Sequence, residues 1–271
     1  MDENREELFS ALLPSIAARM RTLLANLHLA SMALASPEER DRNPELDNRA
    51  SRLDQSYYQL LQMATQMSMT GELMRDAPLK MQNIELVSLV EQICTEAEGP
   101  AGLLGLQLQF VCTMPMCICG VNRQAIESLL YQLLSNAFKF TAPGGSVTVE
   151  LRRSGRQILL SVRDTGRGID EAHLARLFDR YREETASEPM PHGLGLGLLI
   201  CRRVAELHGG SIVAKSEIGT GTEFILALPD RKASGDRLSD VAMDYAGGFN
   251  LTLMELADAL PSEAFLQRHS E

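Results

Sequence analysis

Gln132, Asn136 and Lys139 recur at i, i+4 and i+7 within the helical stretch 122–140. On a helix that spacing draws one polar stripe. An amide oxygen is a hard ligand suited to Mg²⁺, and an ammonium one turn away offsets phosphate charge. Read alone, such a stripe is more often the solvent side of an amphipathic helix. A second cluster, Asp164-Thr165-Gly166-Arg167-Gly168-Ile169, follows an apolar strand-like run. A carboxylate at a strand end can accept from an exocyclic amine, while Gly166 and Gly168 let backbone approach a flat ring. A plain glycine-rich turn accounts for the same residues. The third cluster places Gly193, Gly195 and Gly197 immediately before a helical pattern. Alternating glycines there expose backbone N–H groups at a positive helix end, which suits phosphates. The spacing is neither G-x-G-x-x-G after a first strand nor G-x-x-x-x-G-K-[ST], which excludes a Rossmann site and a P-loop. A fourth cluster, Gly219-Thr220-Gly221-Thr222, reads alone as a tight turn.

The elements that must position these residues follow from periodicity. Leu8, Leu12, Ile16, Met20, Leu23, Leu27 and Ala30 step by three and four, predicting a helix over about 6–34. A polar connector with Pro37 and Pro44 precedes a second periodic segment, about 47–74. Two long helices joined by one short loop make an antiparallel hairpin. Alone it cannot cover its apolar stripe, which predicts a homodimer completing a four-helix bundle; the alternative is packing on the second domain. From 81 to 229 strand-like runs (106–114, 146–153, 157–163, 211–216, 222–228) interleave with helical ones (87–97, 122–140, 196–208), predicting an α/β sandwich. The fold class expected is therefore α+β, with a hairpin over 5–77, a sandwich domain over 81–229 and an acidic extension over 230–271. In that extension, 251–260 has the pattern of a short helix.

Composition narrows the function classes. The chain has 271 residues, 45% hydrophobic and 23% charged, which is the texture of a globular protein. Its 26 basic and 36 acidic residues leave a formal net charge of −10, which argues against bulk nucleic-acid or anionic-membrane binding. No apolar run is long enough for a membrane span, and the acidic N-terminus is unlike a secretory signal, so a cytoplasmic protein is expected. Five cysteines, an odd number, fit a reducing compartment. Cys117 and Cys119 lack the second pair or the histidines a zinc site needs and read as small apolar strand residues. Thirteen Met and no Trp leave a core of aliphatics and Met.

The four clusters, in this order and spacing, resemble the N, G1, G2 and G3 boxes of the ATP-binding domain shared by sensor histidine kinases, gyrase B and related ATPases. Leu177-Phe178-Asp179-Arg180-Tyr181-Arg182 resembles the F box of the kinase branch, and His208-Gly209-Gly210 the turn that follows the G2 helix. The resemblance covers about 81–229, and more weakly 5–77 as the dimerisation and phosphoacceptor hairpin. It implies ATP and Mg²⁺ as cofactors, with Asn136 as metal ligand, Lys139 as phosphate partner and Asp164 as acceptor for the adenine amine. It further implies that Gly166 and Gly168 lie near the base, that Gly193, Gly195 and Gly197 border the triphosphate, that Tyr181–His192 is a lid, and that Thr222 adds a contact.

The resemblance breaks on the first helix. Where the family reads roughly H-E-x-R-T-P-L, this chain has Ala18-Arg19-Met20-Arg21-Thr22-Leu23-Leu24. Alanine offers no nucleophile and arginine no carboxylate base, so histidine autophosphorylation is excluded at this position. His28 lies ten residues on, about 15 Å along the axis and about 80° round it, and is no substitute. Gln132 stands where kinases commonly place Asn and hydrolysing relatives Glu; it can orient a hydroxyl but cannot take its proton. Leu194 replaces a common Thr. The expectation is an ATP-dependent phosphotransferase of the histidine kinase class acting on a separate acceptor, with Gln132 and Lys139 at the reacting end. The alternative is a non-catalytic pseudokinase scaffold whose hairpin binds a response-regulator receiver domain or a partner kinase.

Overall fold

The computed structural model describes residues 2–75, 78–175, 177, 195–235 and 249–266, with backbone alone for 2–11 and 175. Helices α1 (Asp2–Leu34) and α3 (Pro44–Leu73) form the predicted antiparallel hairpin. The connector is more ordered than its polar composition implies, because it contains helix α2 (Pro37–Arg42). Ser36 accepts from the Glu39 amide while the Glu39 carboxylate accepts from the Ser36 amide, a reciprocal cap behind Pro37 at the first turn. Ala17 and Leu24 of α1 are buried against α3, whereas Leu12, Ile16, Leu23 and Leu27 are 46%, 47%, 55% and 64% exposed. Thus the described part of the α1 stripe does not pack on the second domain. His28 is half-buried, stacked on Tyr57 at 4.6 Å and edge-on to Phe249 at 5.1 Å. Burial there pushes its imidazole below the ordinary histidine range.

Strands β1 (Gln82–Glu85) and β3 (Ile118–Val121) pair antiparallel in a small sheet. Helix α4 (Leu86–Leu103) starts at Glu85, whose carboxylate accepts from the amides of Val87, Ser88 and Cys117. Strands β2 (Gln107–Cys112), β4 (Ser146–Ser154), β5 (Gln157–Asp164), β6 (Ser211–Glu217) and β7 (Gly221–Pro229) form the main sheet in the order β2-β4-β5-β7-β6. Only the β2–β4 pair is parallel. Helices α4, α5 (Arg123–Phe140) and α7 (Gly197–Leu207) cover one face, and short α6 (Glu171–Ala175) lies near β6. Alternate residues Val147, Val149, Leu151, Ile158, Leu160, Val162, Leu226 and Leu228 point into this core at 2% exposure or less. Cys117 and Cys119 are buried free thiols, and no metal-binding cluster occurs among the described residues. No helix among them is long and apolar enough to cross a membrane.

Residues 249–266 return to the hairpin. Helix α8 (Leu251–Glu255) and a 3₁₀ turn (Ser262–Phe265) lie against α3, with α4 and α5 on their other side. Leu253, Met254, Leu256, Ala257, Leu260, Ala264 and Phe265 are all at most 5% exposed. Arg40 holds the far end: it pairs with Asp47 at 2.8 Å and Asp54 at 2.7 Å and donates to the Phe265 carbonyl at 3.0 Å.

Candidate functional site

The site is built around α5. Its N-terminus is capped by Asn122, whose Oδ1 accepts from the Ala125 amide at 3.0 Å. That cap is tied to α7 by His208: Nε2 accepts from the Asn122 amide at 3.0 Å, and Nδ1 bonds the Val204 carbonyl at 2.7 Å. Only a neutral ring, protonated at Nδ1, satisfies both bonds. Burial lowers the His208 pKa and keeps it neutral. The His208-Gly209-Gly210 turn therefore fixes the spacing between the helix bearing the polar stripe and the helix behind the glycines.

At the far end of α5, the Asp164–Ile169 loop is held on three sides. The Thr165 amide donates to the Ser146 carbonyl at 3.1 Å and the Ser146 amide to Thr165 Oγ1 at 2.9 Å. The Arg167 amide donates to Phe140 O at 3.1 Å, with its guanidinium 4.7 Å from the Phe140 ring centroid. On the third side, Ile169 N donates to Ser216 Oγ at 2.8 Å and Gly219 N to Arg167 O at 2.8 Å. Two clusters 50 residues apart thereby form one unit, and Gly219–Thr222 is more than the isolated turn its sequence reads as.

Asp164 is 6% exposed. Its Oδ1 accepts from the amides of Gly166 at 2.8 Å and Thr222 at 3.2 Å. Oδ2 takes part in neither bond. Burial raises the carboxyl above its ordinary range, against the pull of those two amides. Thr222 is itself buried, with Oγ1 2.9 Å from Ser216 Oγ. At Gly166 a Cβ would lie 2.3 Å from Phe140 O; at Gly168, where φ is +69°, it would lie 2.0 Å from Glu217 O. The backbone approaches so closely there that no side chain fits. A buried carboxylate at a strand end, with one oxygen outside those two bonds, is suited to accept from an amine on a flat ring.

The polar stripe of α5 is not its solvent side. Gln132 is buried: Oε1 accepts from Gln66 Nε2 of α3 at 3.2 Å, and Nε2 donates to Glu255 Oε2 at 3.4 Å. Gln132 Oε1 also lies where a Cβ on Gly197 would come within 2.5 Å, which joins the stripe to the start of α7. Lys139 pairs with Asp258, which also accepts from Ser135 Oγ at 3.0 Å. Asn136 is half-buried, and its amide has no hydrogen-bond partner among the described residues. Gly195 and Gly197 lead into α7, Gly195 with φ +70°. Gly193 and the expected lid, 181–192, lie outside the described residues. Sequence reasoning missed Glu255 and Asp258, since no spacing links them to α5. A cavity of about 430 Å³ between α4, α5 and 250–253, lined by Glu96, Glu127 and Tyr131, contains none of the site residues. It marks the seam where the C-terminal segment meets the helices.

Residues 121–232 match the family described as histidine kinase-, DNA gyrase B-, and HSP90-like ATPase. This stretch, and not the whole chain, matches that family. Sensor protein SrrB of Staphylococcus aureus is 35% identical over 146 residues, 53% of this chain. The match spans about a quarter of SrrB's length, 25%. The fold of full-length ShkA, solved in complex with AMPPNP, superposes with a TM-score of 0.63 at 22% identity, covering 84% of this chain and 47% of that one. The catalytic domain of histidine kinase ThkA gives 0.50 at 22% identity over 56% and 97%. Acinetobacter baumannii histidine kinase AdeS gives 0.50 at 16% identity over 74% and 98%. This chain is thus homologous to sensor histidine kinases in its ATPase domain, with the helical hairpin in front as expected from sequence.

Proposed function

We propose that the ATPase domain binds Mg·ATP and that the chain acts in two-component signalling without phosphorylating its own hairpin. The carrying observation is Asp164, a buried strand-end carboxylate above Gly166 and Gly168, joined through α5 to the Gln132–Asn136–Lys139 stripe. Asp164 would take the base amine, with Gly166, Gly168 and Thr222 beside it. Asn136 would hold Mg²⁺, and Lys139 with Gly193, Gly195 and Gly197 would hold the phosphates. Gln132 would orient the acceptor without taking its proton, so that phosphoryl transfer goes to a separate protein. The bound nucleotide supplies the transferable γ-phosphoryl group; the chain's residues supply orientation and charge. Free cysteines, four of the five buried, are in keeping with the cytoplasm. The exposed row Leu12, Ile16, Leu23 and Leu27 supports a homodimer through α1. Calorimetric titration with Mg·ATP is the test: saturable binding is expected, and none at millimolar nucleotide overturns the reading.

A second reading, a pseudokinase scaffold, draws on Lys139 being held by Asp258 and on the surface at Ala18, Arg19, Thr22 and Leu23, which lines a pocket of about 380 Å³ on α1. There the hairpin binds a receiver domain or another kinase. Transfer of labelled γ-phosphate to receiver domains, lost on Asn136→Ala, decides against the scaffold; no transfer to any decides for it.

One consequence concerns Ala18, exposed on α1 beside exposed Arg19. Ala18→His supplies a nucleophile but no base, because Arg19 is a cation. The single variant is expected to stay unlabelled by γ-labelled ATP. Label on the hairpin would show that a base outside α1 serves.

A further inference from the structure

Residues 249–266 bury an apolar face against α3, but the polar contacts are more telling. Asp258 Oδ2 takes the Lys139 ammonium, and Oδ1 accepts from Ser135 Oγ at 3.0 Å and Gln62 Nε2 at 3.3 Å. Glu255, 1% exposed, accepts from Gln132 Nε2, and its backbone carbonyl from Gln62 Nε2 at 2.7 Å. Gln55 donates to the Leu260 carbonyl at 2.8 Å. Two carboxylates on one short segment thus engage three neighbouring polar residues of α5, and the same segment ties α5 to α3. Lys139 and Asp258 are 12% and 21% exposed at the side chain, so their attraction is only partly screened.

We infer that the α3–α5 groove is a docking surface for an acidic helical segment, filled in this chain by residues 249–266, and that this segment competes with nucleotide. The inference rests on the Mg·ATP reading of Lys139. An ammonium in contact with Asp258 cannot also neutralise a phosphate without giving that partner up, and a carboxylate left in place repels the polyanion. Binding nucleotide and docking the segment therefore oppose each other, and by linkage each weakens the other equally. The same exchange frees α3, since Gln55 and Gln62 hold the segment from the hairpin side. A stimulus that draws off the segment makes the domain receptive and loosens the hairpin together.

The test is Mg·ATP affinity of the full chain carrying Asp258→Asn, an isosteric change that removes charge and keeps the docked shape. Binding about 5- to 10-fold tighter than wild type is expected, the lower part of the usual coupling range. Glu263→Gln is the control: it removes the same charge from an exposed position of the 3₁₀ turn and is expected to stay within about twofold. Hydrogen exchange of the wild-type chain gives an independent readout, with amides of 250–266 losing protection as Mg·ATP is added. Equal affinity in wild type and Asp258→Asn, or undiminished protection with nucleotide bound, overturns the competition and leaves the nucleotide reading standing. Binding by neither protein at millimolar Mg·ATP overturns both.

Discussion

Asp164→Asn is expected to weaken Mg·ATP binding about 30- to 100-fold while leaving the nucleotide-free protein at least as stable at neutral pH. The first half follows from hydrogen-bond polarity. Oδ1 already serves the Gly166 and Thr222 amides, so an asparagine must keep its oxygen there and turn its NH₂ to the Oδ2 position. A donor then faces the donor amine of the base, and a buried mismatch of this kind costs about 2–3 kcal/mol. The second half follows from burial. Desolvation raises the Asp164 pKa, so the native state holds its proton more tightly than the unfolded chain. The charged form at pH 7 therefore opposes folding, and that penalty vanishes as pH falls through the native pKa. Asparagine never carries it. The variant's advantage in thermal unfolding should be largest at neutral pH and shrink on acidification. Calorimetry and pH-resolved melting check the two halves separately. Unchanged affinity would remove Asp164 from the base site, and a melting deficit at pH 7 that grows on acidification would contradict the burial argument.

That split between stability and binding explains which features of the molecule are readable from local sequence. The main strands and long helices announce themselves by periods of 2 and 3.6, because each has one face to bury: Val147, Val149 and Leu151 on β4, Tyr57, Leu61 and Leu73 on α3. The site loops announce themselves by glycines, since backbone approach to 2.0–2.3 Å of the Cβ positions at Gly166, Gly168 and Gly221 leaves no other residue type. Short elements do not. The paired strands β1 and β3 have four residues each, too few for a period, and β1 is placed by its register with β3. Helix α2 carries its signal in Ser36, Pro37 and Glu39, a cap rather than a period, within a connector whose composition suits a loop. Docking of 249–266 is the least legible feature. Asp258 meets Lys139 across 119 residues, and that pairing is decided by the shape of the α3–α5 groove. What the chain spells out locally is the set of site motifs; what tertiary structure adds is the segment lying on them.

Gly168→Ala is expected to damage the fold, and its cost divides into two parts that can be measured apart. With φ at +69°, any L side chain at 168 pays about 1–2 kcal/mol in dihedral strain. The added Cβ would also lie 2.0 Å from the Glu217 carbonyl oxygen and 2.6 Å from its carbon. Glu217 ends β6, where it pairs with Gly221, and the turn between them is bonded to Arg167 through Gly219. The neighbour is therefore backbone held at both ends, and relieving the clash moves the 217–221 turn and strains the Thr222 bond to Asp164. Overpacking of this kind adds about 1–3 kcal/mol, for a total on the order of 3 kcal/mol. At about 2–4 °C per kcal/mol, the melting temperature falls by about 6–12 °C. Gly155→Ala isolates the dihedral part, because φ there is +59° and nothing lies within 4 Å of its Cβ; a fall of about 2–8 °C is expected. If the two variants melt together, the close approach at Gly168 is not what holds the base loop against the sheet. If only Gly168→Ala also loses Mg·ATP binding, loop position and nucleotide affinity are one property of the same three-sided attachment.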